Sequence, residues 1–303
     1  MHILIVFSIF VEMIEERFNT YNQDVCWQYS IRLKNIEEDL IIAGLTSEDI
    51  VDLKCSDFTF QQEEKPKIFK EVKEFIERHE WLGKLSLYPT HFFTARYRGK
   101  LAGVVIMDMP NAFSKLLGED TKKIERLISR GACVSWSPKN LASKLISFAI
   151  KWMVTNTQYR LFTAYSDSEA RELGTIYQAC NFYYLGKKSG SGYQFKIENG
   201  KWTSDRYFRS RSVYKRLAKA DGIEWFDVWQ DGDMVHFDKM PANIALRIRT
   251  LSKEYQNSCE KRKINPKHKY AYVMGKDNRE TKTLRKLFEE RNKTYPYPKE
   301  RGN

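Results

Sequence analysis

At 303 residues, with 42% hydrophobic and 14% aromatic side chains, the chain has the material for a large packed core, which excludes a disordered protein. Its five cysteines are scattered, odd in number and never in C-x-x-C spacing; this speaks for reduced thiols and against a disulfide framework or a zinc centre. The net charge of +12 is uneven: residues 201–303 hold 25 Lys/Arg against 14 Asp/Glu, and the first 200 hold 26 against 25. A near-neutral body thus carries a basic final third, the footprint of a polyanionic partner or of a surface kept soluble by charge.

The opening MHILIVFSIF has an apolar run, Ile3–Phe10, far short of the roughly 20 residues that a membrane helix needs. It lacks a basic leader and a small-residue cleavage site and runs into Glu12, Glu15 and Glu16. It reads as a buried strand or helix, or as an extension upstream of the natural start, in a soluble cytoplasmic protein with no membrane partner. A strand or helix follows near Leu40–Ala43, and Thr46-Ser47-Glu48-Asp49 is a capped helix start. Lys65–Trp81 is a predicted helix with Pro66 in its first turn and Ile68, Val72, Phe75 and Ile76 on its apolar face. His91–Tyr97 and Leu101–Met107 are apolar strands joined at Arg98-Gly99-Lys100, a hairpin signal. Asn111–Leu127 reads as a helical insertion broken near Gly118.

From Ser129 to Gly186 the periods alternate. Ala132–Val134 is a short strand, and Ser137 and Pro138 suit the N-cap and first position of a helix carrying Leu141, Leu145, Phe148, Ala149 and Trp152. Leu161–Tyr165 is a second strand, Ser168–Ala179 a second helix and Phe182–Leu185 a third strand, an order that favours parallel pairing through right-handed crossovers. Beyond lie a strand at Tyr193–Ile197, basic helices at Ser212–Ala220 and Pro241–Cys259, a strand at His268–Met274 and a helix at Thr281–Arg291. The expected organisation is a first segment 1–60, a core 61–198, a basic aromatic-rich insertion 199–266, and a return strand, helix and tail 267–303, with Lys269–Met274 rejoining the main sheet.

This order, antiparallel strands followed by crossover units, resembles the GNAT acyltransferase fold: an α/β (α+β) protein with a mixed central sheet flanked by helices, here with a basic inserted or C-terminal module. In that fold a splay between the fourth and fifth strands holds the pantetheine of acetyl-CoA, and the next helix N-terminus holds its pyrophosphate. The resemblance makes Ser135, Ser137, Lys139, Asn140 and Lys144 candidates for binding acetyl-CoA or a related acyl donor, although the family's Gly-rich phosphate loop is missing here. Tyr177-Gln178-Ala179-Cys180-Asn181-Phe182 resembles the family's Tyr-x-x-x-Gly-Phe pattern, with Asn in the Gly position. That makes Tyr177 either the proton donor to the departing thiolate or a packing residue.

Ser129-Arg130, Ser135-x-x-Pro138-Lys139-Asn140, Ala164-Tyr165-Ser166-Asp167 and Gly174 to Phe182 are similar to the Mom-type bacteriophage DNA-modification proteins, as are His79 to Gly83, Lys267 to Tyr270 and Tyr297-Pro298-Lys299. The founding member of that group converts adenine in DNA to a carbamoylmethyl form at its exocyclic amine. The resemblance implies a DNA partner, an acyl donor and protection from host restriction. It makes Arg130 a fork for an anionic or carbonyl group, and Ser129, Ser166, Tyr165, His79 and Trp81 substrate contacts. Asp167 is either a general base at the carboxyl end of a parallel strand or the N-cap of the next helix. In the basic third, Trp202 and Arg206 are candidates for stacking on a displaced base and pairing with phosphate; Tyr207, Phe208, Trp225 and Trp229 either join them or form the module's core. No metal site is expected. An acetyl-CoA-dependent N-acyltransferase of a small amine or protein, and a non-catalytic nucleic-acid-binding protein on the same scaffold, stand as rival readings; the oligomeric state is open.

Overall fold

A computed structural model of the protein describes residues 26–86, 88–110, 112–188 and 192–299, so the apolar run Ile3–Phe10 lies outside the described residues. The chain runs through α1 (Trp27–Ala43), β1 (Thr59–Glu63), α2 (Lys65–His79), β2 (Pro89–Tyr97), β3 (Lys100–Asp108), β4 (Glu125–Cys133), α3 (Leu141–Asn156), β5 (Leu161–Ser166), α4 (Thr175–Ala179) and β6 (Tyr183–Lys188). It continues through β7 (Tyr193–Lys196), β8 (Trp202–Ser204), α5 (Arg211–Ala220), two-residue strands β9 (Gln230–Asp231) and β10 (Met234–Val235), α6 (Ala242–Ser258) and β11 (Glu260–Lys263). It ends with β12 (Lys267–Val273) and α7 (Asn278–Arg291). The described residues fall into two compact units, 26–188 with 267–299, and 192–266.

In the first unit seven strands form one sheet in the order β1-β2-β3-β4-β5-β12-β6. The β2–β3 hairpin turns on Arg98 (φ 47) and Gly99 (φ 80), the left-handed pair that a tight two-residue turn demands. Only β4 and β5 are registered in parallel; the other neighbours are antiparallel. In one core cluster Val72 and Ile76 of α2 and Leu141, Leu145, Ala149 and Met153 of α3 pack with Phe92, Phe93, Val104 and Ile106. Helix α2 lies by Phe92 through Phe69, and α3 lies by Phe93, on the other face, through Phe148 and Trp152. Leu161, Leu185, Ala271 and Val273 pack with Phe288 of α7 in a separate cluster. Each such burial contributes about 1.5–3 kcal/mol. The mixed central sheet flanked by helices expected of a GNAT-like protein is thereby present.

Several local expectations are corrected. β4 starts at Glu125, inside the stretch expected to be a helical insertion; among the elements there only the short turn Thr121–Lys123 is helical. Its buried polar residues disguised it. The Glu125 carboxylate is satisfied by the Ser114 N–H and hydroxyl (2.7 and 2.9 Å) and the Thr163 hydroxyl (3.0 Å), and the Arg126 guanidinium lies 3.6 Å from the centre of the Tyr159 ring. The helix expected at Ser168–Ala179 is reduced to Thr175–Ala179, because Arg171 (φ 56) and Gly174 (φ 67) take left-handed conformations that break it. Helix α3 begins at Leu141 with Asn140, not Ser137, in the N-cap position. The Thr46 cap does form, through the Asp49 side chain, but launches a single turn, Glu48–Ile50. β6 does not pair with β5, since β12 lies between them, antiparallel to both. Asn181 (φ 58), standing where the motif has Gly, occupies the left-handed region that Asn tolerates best after Gly.

The second unit has a three-stranded sheet, β11-β7-β8, and a core of Tyr214, Ala218, Trp229, Met240, Ala245 and Ile248 from α5, α6 and their connections. Trp229 and Phe208 are buried, so these two aromatics are core residues.

Candidate active site

β4 and β5 stay paired through Ile128 and Ala164 and then part. β4 follows β3 to Cys133, and β5 follows β12 to Ser166. At the parting point the β3–β4 register shifts: Arg130 lies opposite Ile106, whereas Ile128 lies opposite Met107, so Ser129 is the extra residue. Such an insertion twists its strand and interrupts a ladder. The result is a wedge at the carboxyl ends of two parallel strands, where open α/β sheets bind ligands.

The turn from β4 into α3 closes one end of the wedge. Ser135 and Ser137 are buried and already engaged from α1: the Ser135 hydroxyl donates to Asp39 Oδ2 (2.5 Å), and Arg32 donates to the Ser137 hydroxyl (2.9 Å) and the Ser135 carbonyl (3.1 Å). These side chains therefore shape the turn from within. The amides of Lys139, Asn140, Ala142 and Ser143 have no acceptor among the described residues, and Lys139 and Lys144 are exposed beside them. Free first-turn amides of a 16-residue helix with two flanking cations suit the phosphates of an acyl-CoA-type donor, so this region fits the group without a Gly-rich loop.

The mouth of the wedge has side chains from β4, β5, β12 and α4 and from the loops after α2 and β5. Arg130 donates to the carbonyls of Lys84 (Nε, 2.7 Å) and Ser129 (Nη1, 2.6 Å), clamping the segment after α2 against β4. The Ser129 hydroxyl donates to the Ile106 carbonyl at 3.3 Å. Ser166 is 2% exposed and its hydroxyl has no hydrogen-bond partner among the described residues. Asp167 is held twice: Lys267 of β12 lies 2.7 Å from Oδ2, and Oδ1 accepts the Glu169 N–H at 3.0 Å. Tyr177 packs on Phe182 and Tyr270, with both ring centres 5.4 Å away. Burial, then the carboxylates of Glu172 and Glu80, hold its phenol above the ordinary range. Burial raises Glu172 to about 7, with Glu80 and Asp167 adding to the rise, and it raises Glu80 against the pull of Arg130.

Ser129, Arg130, Ser166, Asp167 and Tyr177 thus belong to the two sides of one opening. Tyr165, exposed, alternates to the opposite face of β5 from Ser166, where the Lys269 ammonium lies 5.7 Å from its ring centre. His79 is buried between Phe75 (4.4 Å between ring centres) and Asp39 Oδ2 (3.6 Å), and burial lowers its pKa. Trp81 stacks edgewise on Trp27 at 5.4 Å, with its amide bonded to Gln28. Trp202 and Arg206 belong to the second unit. There Trp202 sits under the Arg262 guanidinium (4.6 Å) and near Lys196 (6.0 Å), and Arg206 is exposed.

Sequence reasoning passed over Glu80, Glu172, Arg32 and Asp39. A carboxylate in a predicted loop or helix reads as solvated unless a partner is known, and Asp39 and its partner Ser135 lie 96 residues apart in the chain. Lys267 stood in a quoted motif, yet its pairing with Asp167 needed the sheet order. Among the described residues no group of three or more His, Cys, Asp or Glu is placed to hold a metal ion. No helix among them is long and apolar enough to cross a membrane.

The family model described as the Mom protein family matches residues 65–299, well over half of the chain. No curated protein matches the sequence. Among solved structures, a GNAT family acetyltransferase from Elizabethkingia anophelis with acetyl-CoA bound is similar at 10% identity and a TM-score of 0.34, covering 72% of this chain and 99% of that one. An N-acetyltransferase from Staphylococcus aureus is similar at 16% identity and 0.33, covering 48% and 92%. A GNAT family acetyltransferase from Streptococcus pneumoniae is similar at 17% identity and 0.32, covering 48% and 94%.

Proposed function

Because the chain belongs to the Mom protein family, we propose that it is a DNA-modifying transferase, moving an acyl-derived, carbamoylmethyl-like group to the exocyclic amine of a base, adenine first among them, and so shielding DNA from restriction. The observation that carries this reading is the wedge between β4 and β5. Its helix-end amides suit a phosphorylated donor, and its mouth holds a proton-bearing phenol, a guanidinium and unpaired polar groups.

When bound, the donor would supply the acyl-derived group. The amides of Ala142 and Ser143, with Lys139 and Lys144, would hold its phosphates, and the released edges of β4 and β5 would flank it. Tyr177 keeps its proton at neutral pH and offers it to the departing sulfur. Arg130, anchored on two carbonyls, lines the mouth with positive charge. Asp167 serves by position, fixing Lys267 and the turn that carries Glu172.

For the DNA, the second unit offers the solvent face of β11-β7-β8. There Trp202, Lys196, Arg262 and Gln194 share one side by register. Cations beside an aromatic face suit phosphates flanking an unstacked base. Extruding a base from the duplex exposes its amine to such a site.

Nucleoside mass spectrometry on plasmid DNA from cells making the protein tests the reading, beside Tyr177→Phe. A new base adduct with the wild type, reduced in the variant, is the expected result. Unmodified DNA from soluble wild-type protein, with transfer to a small amine instead, overturns it in favour of an ordinary N-acyltransferase.

A further inference from the structure

Two backbone bonds close the turn from β4 into α3: the Ser137 N–H donates to the Val134 carbonyl (3.2 Å), and the Leu141 N–H to the Pro138 carbonyl (3.3 Å). Further support comes from residues 32–58. Arg32 Nη2 donates to the Ser137 hydroxyl (2.9 Å) and the Ser135 carbonyl (3.1 Å), with the Val134 and Ser137 carbonyls each 3.5 Å away. Asp39 Oδ2 accepts both the N–H and the hydroxyl of Ser135, at 3.3 and 2.5 Å. The Cys55 thiol donates to the Lys139 carbonyl at 3.4 Å, and the buried Trp136 ring stacks on Phe58 at 6.2 Å between centres.

These supports are themselves fixed. Gln28 Nε2 donates to the His79 carbonyl (2.5 Å), Asn35 to the Arg78 carbonyl (2.9 Å), and Arg78 Nε to Asp39 Oδ1 (2.9 Å). Helix α1 is thus pinned to the end of α2 while its own Arg32 and Asp39 reach the turn. All of α1, with Cys55 and Phe58, precedes residues 65–299, which the family model matches. In a Gly-rich loop, glycine lets backbone amides approach a phosphate. Here the carbonyl and hydroxyl groups of Ser135 and Ser137 are taken up by Arg32 and Asp39, while the amides of Lys139, Asn140, Ala142 and Ser143 keep no acceptor among the described residues. Arg32 and Asp39 carry opposite charges, so the positive charge beside those amides is that of the exposed Lys139 and Lys144.

Resting on the donor reading above, we propose that the segment 27–58 takes the place of a Gly-rich phosphate loop, with Arg32 and Asp39 as positioning residues for the phosphates of an acyl-CoA-type donor. Neither residue touches the donor; each acts through the turn that it holds. Several amides must converge on a phosphate to bind it, and amides held in place before the donor arrives need no ordering when it binds. Loosening the turn therefore weakens the donor complex first, raising the donor KM more than it lowers kcat.

The test is calorimetry of the full-length protein with CoA as the probe, at a temperature where circular dichroism shows each variant folded. Arg32→Lys keeps the charge but loses the guanidinium's spread of donors, and Ser137→Ala removes the acceptor hydroxyl from the turn. Each is expected to raise the Kd for CoA by about tenfold. The double variant is expected to raise it by less than the product of the two, because both changes break one bond. Phe288→Leu, in the separate cluster under α7, is expected to lower the unfolding midpoint and leave the Kd unchanged. An Arg32→Lys Kd within about twofold of wild type overturns the proposal. So does a Phe288→Leu protein that loses as much affinity as Arg32→Lys, since general destabilisation then accounts for both. Wild-type protein that binds no CoA removes the donor reading and this proposal with it; that titration, scored first, separates this failure from the other two.

Discussion

Gly174 lies so close to Tyr270 that a Cβ on it would stand 2.5 Å from the tyrosine ring. The contact has a purpose: the Tyr270 hydroxyl donates to the Leu173 carbonyl, which fastens the loop bearing Asp167 and Glu172 to β12. Gly174 also has φ 67, costly for any residue with a side chain. Gly174→Ala is expected to lose about 2–4 kcal/mol, the sum of overpacking and left-handed strain, measured by urea unfolding. A loss under 0.5 kcal/mol would mean that the loop is not pressed against Tyr270.

The donor end separates charge from scaffold. Lys139→Ala with Lys144→Ala is expected to weaken donor binding about tenfold in calorimetry and leave the unfolding midpoint unchanged, since both ammonium groups are exposed. Asp39→Ala is expected to destabilise by about 3–5 kcal/mol, because Asp39 is the buried acceptor for Arg78 (2.8 Å) and for the Ser135 hydroxyl. Equal effects of the two changes on stability would refute this division.

Acid should undo the fold through its histidines. Burial beside Arg126 lowers His91 to about 4, and burial lowers His79 and His268 as well. Each binds fewer protons in the native state than unfolded, so stability is full above about pH 6.5 and falls as the pH drops towards 4. His91→Phe, placed against Phe93 and Trp152, is expected to recover about 1–2 kcal/mol at pH 4.5, the part-exposed ring being discounted for solvent screening, and nothing at pH 8. Chemical unfolding at the two pH values measures it; an equal gain at both would assign the effect to packing.

Much of this architecture was legible in the chain. The hairpin about Arg98-Gly99, the apolar stripe of α2 and the return of β12 to the main sheet all follow from periodicity and turn chemistry. What escaped was polar and distant. β4 was hidden because Glu125 and Arg126 sit in a sheet interior on the strength of partners at Ser114, Thr163 and Tyr159. Helix periodicity extended α4 too far because nothing local marks Arg171 as left-handed. For the site, Tyr177, Ser166 and Arg130 stood in recognisable words, whereas the pairing of Asp167 with Lys267 exists only after β12 has joined β5.

The position of β12 bears on how the molecule is made. β12 lies between β5 and β6, yet it is translated after the whole of residues 189–266. Until it emerges from the ribosome, β5 and β6 each lack a neighbour along a full edge, and exposed edges recruit other chains. The same strand delivers Lys267 to Asp167 and Tyr270 to Gly174. A nascent or prematurely ended chain therefore holds an incomplete opening beside Tyr177, which the last strand completes.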